Sequence, residues 1–436
     1  MIKSSRFAIF FCLIPLIVNH LRGQVNPSII PADSAVVIAS QASERKATKL
    51  SVQQLLFSGA LFSFDEGRKS IYLPPVTNIL SANTVESYVV DFRPSYTNKL
   101  EEGKFFYLRP GLRYGFGNER FGAELLARYF YHPATMSSVE VSGGRYTKQL
   151  NEQSRLAQNI YTSYPLLSED NYLKVYEKSY LQVSHTTVPV KDLLLTGTLS
   201  WNQRNPLENL PEYADGEFTP NAPENIELDN TTFSRHQLAL LSVGLSWQAN
   251  TSYTHQRGRF ITEGKGPRFS LYYSRAIPDF LGSNLDYSKV ALRINGSLRE
   301  GNLGKGRFEL EAGDFIGKER LTFIDFHHFN GNRLVINNTH ELGSFQLLDY
   351  YTYSTQGAYL RAHYEHRWKG VKVREEEDLF QPVVSFNYLM TQQLDAYVEL
   401  GVGLDRILGK WRLEAYLSMQ ELSYDRFGMR LGFVFE

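Results

Sequence analysis

The sequence predicts an all-β fold, a transmembrane antiparallel β-barrel of about sixteen strands with a short helical insert. Three observations carry this expectation. The last ten residues alternate strictly, with Phe427, Met429, Leu431, Phe433 and Phe435 on one face and Gly428, Arg430, Gly432, Val434 and Glu436 on the other. Successive strand residues point to opposite faces, so this segment is a strand with one apolar face. Similar segments recur along the chain with charges of both signs on the second face, and the first eighteen residues read as an export signal.

The signal comes first. Lys3 and Arg6 precede the twelve-residue apolar run Phe7 to Val18, FAIFFCLIPLIV. A spanning helix needs about 20 residues, so the run predicts a cleaved signal peptide over 1–23. The cut is expected between Gly23 and Gln24, although Leu21 is larger than the usual small residue three positions before such a site. The only cysteine, Cys12, lies inside the apolar run after Phe11 and does not fit a lipidation site. A mature chain without cysteine has no disulfides, thiolate metal sites or thiol catalysis.

Lys and Arg number 46, as do Asp and Glu. Removing Lys3, Arg6 and Arg22 leaves a net charge of about −3, which gives no electrostatic footprint for nucleic acid. Mean hydropathy is −0.31, and beyond the signal no apolar run approaches the length of a spanning helix. A barrel is compatible with low hydropathy, because half of each strand faces lipid and half a polar interior. The 27 Tyr, 28 Phe and 4 Trp suit interfacial girdles.

Residues 24–55 are too few for a folded domain and read as a periplasmic tail or small plug, with the barrel over 56–436. Strands are expected near 56–64 or 68–75, 87–95, 103–116, 119–131 and 136–144, and then near 172–186, 190–202, 236–251 and 266–276. Val290, Leu292 and Ile294 oppose Lys289, Arg293 and Asn295; Phe308, Leu310 and Ala312 oppose Arg307, Glu309 and Glu311. Leu360, Ala362, Tyr364 and Trp368 oppose Arg361, His363, Glu365 and Arg367. A strand near 380–389 precedes Val398, Leu400, Val402 and Leu404, which oppose Tyr397, Glu399, Gly401, Gly403 and Asp405. Trp411, Leu413, Ala415, Leu417 and Met419 then oppose Arg412, Glu414, Tyr416 and Ser418.

A soluble sandwich would need a second layer over the apolar face, and the sequence has little helix pattern to supply one. Two segments depart from strand period. Residues 147–180 mix polar and apolar positions more helically, and 203–235 hold Pro206, Pro211, Pro220 and Pro223, predicting a mobile loop. With a periplasmic C-terminus, counting back puts the turns near 405–408 and 369–379 on the periplasmic side. The long segments 203–235 and 314–355 then become extracellular.

Several strings resemble an uncharacterised family of bacterial outer-membrane barrels. They are NTVES (Asn83 to Ser87), NYLKVYEK (Asn171 to Lys178), WNQRNPLEN (Trp201 to Asn209), and FQLLDYYTYST (Phe345 to Thr355) followed by AYLRAHYEHRW (Ala358 to Trp368). The resemblance runs over about 50–436. Members usually carry an N-terminal carboxypeptidase-regulatory-like domain, which is absent here. Through that family the chain is similar, at a distance, to the bacterial surface-antigen and barrel-assembly superfamily, sixteen-stranded barrels that insert or translocate proteins. The resemblance implies that 314–355, between the eleventh and twelfth strands, folds back into the lumen. The chain departs from that pattern in having no room for polypeptide-transport-associated domains. It also lacks the Val-Arg-Gly-aromatic loop motif, the nearest string being GNR at Gly331 to Arg333.

Chemistry is sparse. Glu309 and Glu311 share a strand face and could be an acid–base pair, but a lumen charge network with Arg293, Arg307, Arg361 and Glu365 is the expectation, since interior charges need partners. His363 and His366 fall on opposite faces, inward and outward. In FIDFHHF (Phe323 to Phe329), Asp325 and His327 share a face if extended, as a metal pair, an acid–base pair or a structural hydrogen bond. Asp325, His327 and Arg333 are therefore the candidate residues of the lumen loop. EGKGPR (Glu263 to Arg268) lacks the order of a phosphate loop, and no Gly-x-Ser-x-Gly elbow occurs. No catalytic residue, cofactor or metal site is expected. The sequence points to a non-enzymatic barrel in the outer membrane of a Gram-negative bacterium, acting in envelope assembly or transport. Its expected partners are outer-membrane lipids and an envelope protein client, with no nucleic acid. The alternatives are a passive pore, a lipid- or protein-modifying enzyme and an adhesin.

Overall fold

The computed structural model of the chain describes residues 51–154, 171–214, 218–256, 259–299, 304–337, 342–374, 377–407, 409 and 411–433. The expected signal, most of the expected tail and the last three residues lie outside these. Helix α1 (Val52–Phe57) opens the described chain, closed at its N-terminus by a capping box in which Ser51 and Gln54 exchange side-chain and backbone bonds. Next come β1 (Ala60–Phe64), β2 (Lys69–Leu73), the one-turn α2 (Val76–Ile79), β3 (Leu80–Asn83), β4 (Ser87–Phe92) and β5 (Ser95–Lys99). Long strands follow: β6 (Phe105–Gly115), β7 (Arg120–His132), β8 (Ser137–Gln149), β9 (Val175–Val190), β10 (Leu193–Pro206) and β11 (His236–Gln248). A separate hairpin, β12 (Ser252–Gln256) and β13 (Arg259–Glu263), precedes β14 (Arg268–Ala276), β15 (Asp286–Arg299) and β16 (Lys305–Arg320). After the two-residue β17 (Ile336–Asn337) come β18 (Tyr359–Arg367), β19 (Val371–Arg374), β20 (Glu377–Thr391), β21 (Tyr397–Ile407), β22 (Trp411–Gln420) and β23 (Ser423–Phe433).

Among the described residues, all strands but the hairpin's belong to one sheet of 21 strands. Each long strand pairs antiparallel with its neighbours in sequence, and only β17 is parallel, along Leu431 and Gly432 of β23. Local breaks split three lanes; with these joined and the loop's β17 set apart, the described residues form seventeen lanes, one more than the expected sixteen. β4 and β5 both pair with β6, on either side of Pro94, which has no N–H to give. In the same way β2 and β3 pair with β5 and β4, and β18 and β19 with β20.

Other expectations are corrected. Residues 147–149 continue β8 and 175–180 open β9, so the ends of the expected helical insert are strand, while 155–170 lie outside the described residues. Strand β16 runs to Arg320, so the long connection is 321–358, not 314–355. The proline-rich connection after β10 is tied down: Asn221 bonds Val175 and Leu207, and Asn225 donates to the carbonyls of Tyr351, Thr352 and Ser354.

No ladder joins β1 to β23 among the described residues, but the sheet is curled. Asn330 accepts a hydrogen bond from Asn151, just past β8, while the carbonyl of Asn332 accepts one from Arg430 on β23. Two residues span about 7 Å, whereas β8 and β23 would lie on the order of 50 Å apart in a flat sheet. The sheet therefore wraps around the 321–358 loop.

Polarity is inverted relative to a water-soluble core. Val402 is 62% exposed while Glu399 and Asp405 on the opposite face are fully buried. Leu400, Leu413, Phe427 and Met429 also point outward. Gly401 belongs to the inward face because a Cβ there would lie 2.3 Å from the Tyr416 ring. Among the described residues no helix is long and apolar enough to cross a membrane.

The first strands carry their own inward cluster. Arg113 on β6 is 2% exposed and bridges Glu86 at 2.5 Å and Asp91 at 2.8 Å. Asp91 also takes Arg93 and the Tyr146 hydroxyl. Replacing Arg113 with Met would take the shared guanidinium from two buried carboxylates, leaving Glu86 with Asn83 and Asp91 with Arg93 and Tyr146. The expected loss is about 3–5 kcal/mol, read by equilibrium urea unfolding in detergent; an unchanged midpoint would show that the cluster is not structural.

Candidate functional site

The loop between β16 and β18 enters the interior on apolar anchors. Phe323, Ile324 and Phe326 pack with Leu150, Tyr176 and Tyr351, and Phe329, Phe345 and Leu348 pack with Tyr359, Leu389, Leu394 and Tyr397. Burying such side chains gives the loop about 1.5–3 kcal/mol each. Reciprocal backbone bonds between His327 and Thr355, at 2.8 and 3.1 Å, tie its two limbs.

Polar contacts then fix its position. Asp325 accepts from Arg204 on β10 at 2.6 Å, from the Tyr287 hydroxyl on β15 at 2.9 Å and from Thr322 at 2.7 Å. His327 stacks on Tyr359 with ring centroids 3.9 Å apart, and its Nε2 lies 3.5 Å from Glu311. Glu399 on β21 accepts from the backbone N–H groups of Gln346, Leu347 and Leu348 at 2.7, 2.7 and 3.0 Å, and from Asn387 and Tyr397. Arg430 donates to the carbonyls of Gln346 and Asn332, and Arg426 pairs with Asp349 at 3.0 Å.

The sequence-nominated charges meet on adjoining strands. Glu311 accepts from Arg293 at 2.6 Å, Arg361 at 2.7 Å and the Tyr359 hydroxyl at 2.8 Å. Glu309 pairs with Arg361 at 2.8 Å, and Glu365 with Arg307 at 2.7 Å and Arg412 at 2.8 Å. His363 faces inward against Phe345 and bonds Asn387, while His366 packs with Tyr364 and Trp368.

Asp325 and His327 do not form a pair. Phe323–Asp325 is a 3₁₀ turn, so the alternation that would place them on one face is broken, and each side chain finds a different strand. Arg333 sits at the exposed end of the loop, paired with Asp349 of the same loop. Among the described residues no group of three or more His, Cys, Asp or Glu is placed to hold a metal ion. Arg204, Tyr287, Glu399 and Arg430 were not singled out from sequence. Glu399 is visible there only as an inward position, and nothing local marks its bonds to a segment about 50 residues away.

Burial holds the His327 imidazole well below the usual histidine range, and the Lys289 ammonium adds to the effect. Burial, again with Lys289, takes His328 down to about 3. Burial acts to raise the Asp325 carboxyl, but the Arg204 guanidinium and the hydrogen bonds outweigh it, and the group lies below the ordinary carboxylate range.

Beside the loop a cavity of about 480 Å³ remains. It runs from Asp325, His327 and His328 under the loop to Asp192, Gln248 and Thr251 at the other end of the strands.

The family model described as "Family of unknown function (DUF5686) C-terminal domain" matches residues 53–404. No curated protein matches the chain. Among solved structures, the crystal structure of BamA from Haemophilus ducreyi lacking POTRA domains 1-3 is similar at 10% identity and a TM-score of 0.42, over 85% of this chain and 74% of that one.

The histidines make docking of the loop pH-dependent. Their docked-state pKa values lie below the 6.5 of a free histidine, so the undocked loop binds more protons and docking weakens as pH falls below about 6.5. Above that pH their contribution is constant. The expected slope approaches about 1.4 kcal/mol per pH unit for each histidine. Hydrogen exchange of 342–356, corrected for intrinsic rates, should show protection lost between pH 7.5 and 5; equal protection would contradict the assignment.

Proposed function

The chain belongs to this DUF5686 C-terminal domain family of unknown function, and we propose that it is a non-enzymatic outer-membrane β-barrel, plugged by its own loop, that acts in envelope assembly or transport. The single observation carrying this reading is the curled sheet's inverted polarity around a docked loop. Outward Leu400, Val402, Leu413, Phe427 and Met429 suit lipid tails, while the charges turn inward to partners. In water the same arrangement would expose a broad apolar surface. The export signal over 1–23 fits delivery to the outer membrane of a Gram-negative bacterium. On this reading the 207–235 and 321–358 connections, which bond to one another, form an extracellular cap.

The loop argues for a client-handling role over free diffusion, because it occupies the interior through apolar clusters and bonds to β10, β15, β21 and β23. The edge of β23 adds to this. Beyond β22, its only paired neighbour among the described residues is the short β17. An unpaired edge is a template for a further strand. A passive pore is the second reading, favoured by the 480 Å³ cavity.

Single-channel recording on the refolded mature chain, using material whose gel mobility shifts on heating, separates the two. A plugged barrel should be silent or flicker rarely, and deletion of 321–345 should produce large, steady openings. Large openings in the wild type would favour the pore.

A further inference from the structure

The interior is filled unevenly. The loop and its charged wall occupy the side of β16 to β23, and the Glu86–Arg113–Asp91 cluster the side of the first strands. Between them, inward positions on β10, β11 and β14 carry Thr196, Thr198, Ser242, Ser246, Ser270 and Ser274, all lining the cavity. These side chains are too small to fill it. Ser242 bonds Ser274 at 2.9 Å and Ser246 bonds Ser270 at 2.8 Å. A hydroxyl has one donor and two acceptor positions, so each pair keeps capacity for a ligand.

The charges around this belt are committed, with one exception. Asp325 holds Arg204, and Glu311 holds Arg293. Glu309 is taken by Arg361, Glu152 by Lys178, and Arg268 bonds Gln248 at 3.0 Å. Asp192, at the far end, accepts from the backbone of Asn250 and Thr251. Lys289 lines the cavity next to Ser274 in register, and its Nζ lies 4.9 Å from the centre of the Phe315 ring. It touches no carboxylate among the described residues. Asp325 and Glu311 act on it electrostatically, but both are already held by arginines and hydroxyls.

We propose that this cavity is a binding site for a small hydroxylated anion, whose negative group meets the Lys289 ammonium while its hydroxyls meet the serine and threonine belt. The volume lies within the range of about 300–1,000 Å³ of small-molecule sites. A strongly cationic ligand fits poorly, since the carboxylates of the wall, Asp325, Glu311 and Asp192, already hold donors while the Lys289 ammonium faces the cavity. The site goes beyond the envelope role and does not rest on it, because it is defined by the interior alone and can be tested in detergent.

The test is calorimetric titration of the folded full-length mature chain in detergent with gluconate, acetate and sorbitol at pH 7.5, where the two acids are monoanions and the loop is docked. Gluconate should bind tightest, acetate less tightly and sorbitol least. Lys289→Met should lower affinity for both anions by about ten-fold or more, and Lys289→Arg should restore most of it. A second measurement needs no variant: on wild-type protein, gluconate should slow reductive methylation of Lys289, read by mass spectrometry. The proposal is overturned by the absence of saturable binding, by undiminished affinity in Lys289→Met, or by no protection of Lys289. It also falls if sorbitol or acetate binds as tightly as gluconate.

Discussion

A carboxylate turned into the interior of this sheet must find hydrogen-bond donors there, and the rest of the interior depends on that requirement. Leaving one unpaired would cost several kcal/mol. The strands supply part of the need through neighbours in register, as Glu311 does with Arg293 and Arg361. Glu399 is different, since its donors include three consecutive backbone N–H groups of the loop. The dependence runs both ways. Asp325, buried in the loop, is satisfied by Arg204 and Tyr287 from two strands. Loop and wall therefore satisfy each other's buried carboxylates.

The same requirement explains the shape of what is left empty. Inward carboxylates such as Glu311 and Glu399 are covered by a neighbouring strand or by the loop. Where inward residues are serine and threonine, nothing has to cover them, because hydroxyls can pair across lanes or with water at little cost. The cavity lies along that stretch, bordered by Lys289. The outward face imposes the complementary condition, since among the described residues its Leu, Val, Phe and Met side chains have no second protein layer to pack on.

Much of this was legible in the sequence. Alternation located the long strands, though not all their ends, because inward polar and outward apolar residues repeat with the period of the pleat. Broken lanes were not legible: a break such as the one at Pro94 leaves the alternation on both sides intact. The stretch around 147–180 reads as helical because cations and tyrosines of an inward face, such as Tyr146 and Lys148, resemble mixed polarity when their partner strands are unknown. The Asp325–His327 pairing failed for a related reason, since shared-face arguments hold only for extended backbone and a 3₁₀ turn intervenes. Partners 121 residues apart, as Arg204 and Asp325 are, leave no local signal at all.

The central claim is that interior carboxylates hold the loop in place, and Glu399→Gln tests it most directly. The substitution keeps the side chain's shape but turns one acceptor oxygen into a donor facing backbone N–H groups. Hydrogen exchange at Gln346, Leu347 and Leu348 in the folded protein should accelerate on the order of 100-fold, from about 3 kcal/mol of lost bonding. Exchange unchanged at those amides would contradict the account.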